Sequence, residues 1–292
     1  MSLSNLRAPL SLLIAATTWG LLWYPYRLLE AKGISGSLAS LITYLLGMAL
    51  LFAWYRGRLR LTGFSYGGLI AVALATGWTN LAYVLAVIQG EIMRVLLLFY
   101  LAPLWTIPFA WLLLCERPNA WAYVLIVLSL AGAYIMLADD GGLPLPGNLA
   151  EWLGLSAGIG FALSNVLSRR LYDVPAETRA VWIFAGVVLI AVLPLSLETG
   201  GLAATLALEF VDWGLLLFTG ALLVLATLTV QYGLVRIPAN RAIVILLMEL
   251  VVAAFASWFL AGEVMSAREW WGGALIVAAS LMSGKVEEKH HG

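Results

Sequence analysis

The chain has 292 residues, 63% of them hydrophobic and 11% charged, with a formal net charge of zero at neutral pH. A mean hydropathy of +0.97 leaves too little polar surface to clothe a soluble globule, so the composition specifies a membrane protein. The bilayer is an expected partner, and nucleic acid is not.

A hydrocarbon core about 30 Å thick asks roughly 20 apolar residues of each crossing helix. Runs of that kind fall at 8–26, 33–55, 61–90, 95–115, 118–138, 152–168, 180–197, 213–235, 242–262 and 270–284. The third is long enough for a span plus a loop, and the ninth holds one charge, Glu249. The tenth is short, but Trp270 and Trp271 can anchor it at an interface while Lys285 snorkels. None shows the strict alternation of barrel strands. The pattern predicts an all-α integral membrane protein of ten transmembrane helices.

Ten spans put both termini on one side. Alternating the loops gives that side Arg7, Arg56, Arg58, Arg60, Arg117, Arg169, Arg170, Arg179, Arg236, Arg241, Lys285 and Lys289, and leaves Arg27, Lys32, Arg94 and Arg268 on the other. The positive-inside rule then makes both termini cytoplasmic, as expected of a multi-pass protein of the bacterial inner membrane. The first run leads straight into another span and reads as a retained helix, not a cleaved signal.

Gly and Pro gather at 141–147 between the fifth and sixth spans. This predicts a five-helix repeat at 1–140, an exterior linker at 141–148, a second five-helix repeat at 149–284 and a cytoplasmic tail at 285–292. The repeat is visible in the residues. Arg94 and Arg241 each precede a largely apolar stretch that ends at a Glu, Glu116 or Glu263, and 147 positions separate the copies. At the start of each half, Trp19, Trp23 and Arg27 align 142 positions on with Phe161, Asn165 and Arg169. Because five is odd, the two units must insert in opposite directions, giving inverted repeats around a central cavity. Such a unit needs no partner subunit, and a functional monomer is expected.

The segments AATTWGLLWYPYRLL, YLAPLWTIPFAWLLLCERPNAWAYVLIVLSLAGAYIML and MELVVAAFASWFLAGEVMSAREWWGGALIVAASLM carry a family resemblance over nearly the whole chain. They resemble the drug/metabolite transporter superfamily, in its ten-span branch of two EamA-type units, and within it the aromatic amino-acid exporters of the YddG type. Pro103, Glu116, Glu249 and Glu263 are the most specific marks. The resemblance implies a secondary transporter that exports metabolites by alternating access, with no cofactor. Relatives usually show Glu-Pro in the second unit; this chain has Glu249-Leu250. A proline kink is therefore expected in span four, at Pro103 or Pro108, and not in span nine.

Polar and aromatic side chains inside spans are the candidate solute path, because a polar group facing lipid is costly. The candidates for the cavity are Trp19, Trp23, Trp78, Asn80, Tyr83, Tyr100, Trp105, Phe161, Asn165, Trp182 and Tyr232, with Glu249 and Pro103 for coupling or gating. Trp19 with Trp23, and Phe161 with Asn165, lie at i, i+4 and so share a helix face. Each aromatic has ordinary packing as its alternative, and each Asn a bond to a neighbouring helix. Such a surface suits a neutral or zwitterionic solute with a bulky apolar side chain.

Glu249 is the sharpest position. An ionised carboxylate near the bilayer centre costs about 2.5–3.5 kcal/mol or more. A structural or gating role, proton coupling and pairing with a substrate ammonium all stay open. Arg94 and Arg241, at the starts of spans four and nine, either snorkel to an interface or serve as gates. Gly154, Gly158 and Ala162 give small-xxx-small spacing for close helix packing. The lone Cys115 precludes an intrachain disulfide, both histidines lie in the tail, and no HExxH or phosphate-binding Gly loop is present, so neither metal nor enzymatic chemistry is expected.

Overall fold

The computed structural model describes residues 3–55, 63, 66–115, 120–137, 145–171, 173–198, 205, 208–234, 236, 245–246 and 248–286. Glu116, Arg241, the 141–144 part of the linker and the tail beyond 286 lie outside the described residues. Among the described residues every regular element is helical. They are α1 (Leu3–Ala31), α2 (Gly36–Tyr55), α3 (Tyr66–Gln89), α4 (Ile92–Phe99), α5 (Ala102–Leu114), α6 (Ala120–Leu137), α7 (Leu149–Arg169), α8 (Ala176–Leu195), α9 (Phe210–Leu234), α10 (Met248–Ala256) and α11 (Ala267–Val286). Helix is the form in which an apolar segment satisfies its own backbone in lipid. Among the described residues five segments are long and apolar enough to cross a membrane: Gly36–Tyr55, Tyr66–Gln89, Ile92–Leu114, Ala176–Leu195 and Phe210–Gly233. The other helices fall on the remaining runs.

The packing repeats the duplication. Exchanging α1 with α7, α2 with α8, α3 with α9 and α4–α5 with α10 turns one set of packed pairs into the other. Thus α3 packs on α7 as α9 does on α1, and α3 on α8 as α9 does on α2. The pairs α2–α8 and α6–α11 map onto themselves. Close backbone approach makes the crossings possible. A Cβ on Gly186 would lie 2.1 Å from the Ala73 carbonyl oxygen, and one on Gly220 2.7 Å from that of Thr43, so α3–α8 and α2–α9 cross at glycine in both halves.

The fourth and ninth spans are interrupted differently. The fourth breaks at Tyr100–Leu101, just before Pro103, and runs on as α5 through Pro108 without interruption. In the ninth, α10 continues into a π-helical turn over Ser257–Ala261. Both end on a left-handed residue directly before the repeated Glu, Cys115 with φ 57° and Gly262 with φ 67°. The duplication therefore extends to the backbone of the caps.

Candidate functional site

The break in the fourth span sets the site. Pro103 has no N–H, so the Phe99 carbonyl loses its usual helical donor. Against that carbonyl stands α7, where a Cβ on Gly158 would come within 2.5 Å of the Phe99 oxygen. In the pseudo-equivalent helix pair α1 lies on α10, with Gly20 facing the Glu249 carbonyl oxygen at 2.8 Å from its would-be Cβ. Breaking the helix after Phe99 leaves Tyr100 at its C-terminal cap. The Tyr100 hydroxyl lies 2.8 Å from Glu249 Oε2 and 3.1 Å from the Leu246 carbonyl oxygen.

Around this pair is an aromatic cluster whose hub is Phe99. Its ring centroid is 5.7 Å from Tyr83, 5.6 Å from Tyr100 and 5.1 Å from Phe161. Trp23 is fully buried in the same cluster and meets Tyr24 edge-on at 5.5 Å. Two buried polar atoms here, Trp23 Nε1 and the Tyr83 hydroxyl, have no hydrogen-bond partner. An unpaired polar group in an apolar interior costs about 1–3 kcal/mol, which an incoming polar solute could relieve.

A charged closure lies one helical turn beyond Trp23. Arg27 stacks over the Trp23 ring at 5.4 Å. It donates from Nε to the Val87 carbonyl at 2.8 Å, from Nη2 to the Gly90 carbonyl at 2.6 Å and from Nη1 to Glu263 at 3.1 Å. Glu263 in turn accepts from the Ile92 amide at 3.0 Å. One ion pair thus gathers the ends of α1, α3 and the ninth span and the start of α4. Burial holds the Glu263 carboxyl above its ordinary value, although Arg27 and the Ile92 amide pull it down.

More charges knit the same end. Arg94 Nε is 3.2 Å from Glu151 and 3.9 Å from Glu269, joining the starts of α4, α7 and α11. Glu151 also accepts from the Gly147 amide at 2.9 Å, while Asn148 caps α7 by accepting from the Glu151 amide at 2.9 Å. Lys32 pairs with Asp212, and Ser35 bonds Glu198. Here α1 also packs on α3, a pair whose counterpart, α7 with α9, is absent from the closely packed pairs of the described residues. The bundle is duplicated in sequence yet closed at one end.

Five of the expected site residues come together: Trp23, Tyr83, Tyr100, Phe161 and Glu249. Pro103 contributes through its backbone. Trp19 packs in the neighbouring cluster of α2, α8 and α9. Asn80 is engaged there too, accepting from the Tyr44 hydroxyl and donating to the Thr76 carbonyl at 2.9 Å. Trp182 stacks near Tyr66 at 6.0 Å, and Tyr232 lies under the Arg236 guanidinium at 3.7 Å. Trp78 is 45% exposed, Asn165 is half-buried, and the indole nitrogen of Trp105 is buried without a partner. Sequence reasoning missed Phe99, because it looked for polar groups and marked aromatics rather than the residue a proline break exposes. It also missed the Arg27–Glu263 pair, whose members lie 236 residues apart.

A duplicated helical bundle with an acid and aromatic rings at its centre and a charged closure at one end defines a multi-pass membrane transporter. The EamA-like transporter family matches residues 6–138 and 148–284. The chain belongs to that family, within the drug/metabolite transporter superfamily. It is 26% identical to an uncharacterized transporter of Archaeoglobus fulgidus over 74% of this chain and 75% of that one. It is also 26% identical to the uncharacterized transporter YwfM of Bacillus subtilis over 62% of each chain. A solved structure described only as "Crystal structure of protein" shares the fold, with a TM-score of 0.67, 18% identity, and coverage of 96% of this chain and 98% of that one.

Proposed function

We propose that this EamA-family transporter exports amino acids, aromatic or bulky apolar ones preferred, by alternating access in the bacterial inner membrane. The observation that carries the reading is the Trp23–Tyr83–Phe99–Tyr100–Phe161 cluster around Glu249, with two polar atoms left unpaired. Aromatic rings favour a bulky apolar side chain, and the few polar groups suit a zwitterionic head. The positive-inside assignment puts the closed end outside the cell, so the bundle rests with its exterior gate shut. Inverted repeats supply the movement, since one half rocking against the other exposes a central site to either side. A single chain holds both halves and works as a monomer.

The test is uptake of labelled phenylalanine or tryptophan into proteoliposomes, with unlabelled amino acids, nucleosides and sugars as competitors. Aromatic amino acids are expected to compete best. Competition by nucleosides or sugars alone assigns the carrier to another metabolite class, and absence of any flux makes it a membrane scaffold.

A further inference from the structure

We propose that Glu249 is a proton-binding site, occupied in this closed state, through which an inward proton gradient drives export; the coupling half of this statement rests on the transport reading above. The argument is one of hydrogen accounting. The Tyr100 hydroxyl carries one hydrogen but faces two acceptors, Glu249 Oε2 at 2.8 Å and the Leu246 carbonyl at 3.1 Å. An ionised Glu249 leaves those two oxygens competing for one hydrogen. A protonated Glu249 resolves the conflict: its carboxyl donates to Tyr100 Oη, and Tyr100 donates to the Leu246 carbonyl.

The surroundings favour the same state. From α1, Gly20 and Trp23 approach α10 and carry no charge. From α4 the facing titratable group is Tyr100, and from α3 it is Tyr83, which packs in the same cluster as Tyr100. The nearest described cation along α1 is Arg27, already occupied by Glu263 and two backbone carbonyls. Glu249 is 8% exposed, so an ionised form would have little water and, among the described residues, no countercharge. Neutralised, it can cross between the two closed arrangements without that cost. The proton is taken from exterior water when that end is open, carried on the Glu249 carboxyl, and released to cytoplasmic water when the other end opens. No bond other than O–H forms or breaks.

Two measurements on the full chain in nanodiscs or proteoliposomes decide it. The infrared difference spectrum between the wild type and Glu249→Gln in D2O at neutral pH should contain the carbonyl band of a protonated carboxylic acid. Its position should move in Tyr100→Phe, which loses the acceptor. Absence of the band overturns the proposal whatever the solute is. In flux assays the wild type should speed uphill transport several-fold under an imposed pH gradient, and Glu249→Gln should lose that response whatever downhill rate it retains. A gradient response surviving in Glu249→Gln, or missing from a wild type that carries solute, overturns it. Should Glu249→Gln not assemble, Tyr100→Phe must shift the pH dependence of flux, and an unchanged profile overturns the assignment. If no solute is carried at all, the transport reading fails while the infrared result still decides the proton site.

Discussion

Arg27 and Glu263, at the ends of the first and ninth spans, form a 3.1 Å ion pair that closes one end of the bundle over Trp23. The partners do not contribute equally. Arg27 serves three acceptors, whereas burial already disfavours the charge on Glu263. Arg27→Gln should therefore destabilise the protein by about 1.5–3 kcal/mol, and Glu263→Gln by less, because the amide still accepts from Ile92 and removes a desolvated charge. Thermal unfolding in detergent reads the difference. A larger loss in Glu263→Gln would reverse the assignment.

The same pair predicts a pH dependence. The folded-state value of Glu263 is raised, so its contribution is fully present in acid and is lost as pH rises through that raised value. In Arg27→Gln the opposing pull of the guanidinium is gone and the value rises further. The stability gap between Arg27→Gln and the wild type should narrow in mildly acidic buffer, and that narrowing should be absent in the Glu263→Gln background, where the bonds to Val87 and Gly90 keep a pH-independent gap. A gap that stays constant with pH would show that Arg27 acts through its backbone acceptors alone.

Gly186 is the tightest helix crossing. Gly186→Ala drives a methyl to within 2.1 Å of the Ala73 carbonyl oxygen, which belongs to backbone and cannot rotate away. A loss of about 1–3 kcal/mol or more is expected. Gly214→Ala, which meets nothing within 4 Å, should be neutral or stabilising. Equal melting of the two variants would mean that α3 and α8 are not packed this closely.

Gly158→Ala tests the link between the break and transport. Its methyl would press on the Phe99 carbonyl from 2.5 Å and push the Phe99–Tyr100 turn away from α7. Flux should fall several-fold with the Michaelis constant raised, since the aromatic hub moves. Unaltered kinetics in a folded variant would separate Phe99 from the solute path.

Topology can be checked with the one native thiol. Cys115 is exposed at the end of α5, on the side the positive-inside assignment makes cytoplasmic. A membrane-impermeant maleimide should label it in inside-out vesicles and not in right-side-out ones. Labelling from the opposite side would turn the whole bundle over and make the charged closure an interior gate.

Much of the architecture was legible in the residues. The helical character of the apolar runs, the 147-residue register of the fourth and ninth spans and the break near Pro103 all follow from local rules of length, periodicity and proline chemistry. The site was legible only in part. Glu249 stood out because a charge in lipid is costly wherever its neighbours are. Trp19 and Trp23, however, share a helix face and still enter different clusters, since α1 lies between two groups of helices.

By itself, then, the sequence determined what each segment must be: apolar helices, duplicated, with one acid in an otherwise uncharged span. Those are properties of short stretches meeting lipid, and they hold whatever lies alongside. Only the tertiary structure decided which groups meet. Arg27 finds Glu263 across 236 residues, and Tyr100 finds Glu249 across 149. Among the described residues the two halves carry related sequences yet pack unequally, α1 lying on α3 without an equally packed counterpart in α7 and α9, because such a contact depends on the whole bundle and not on either segment alone.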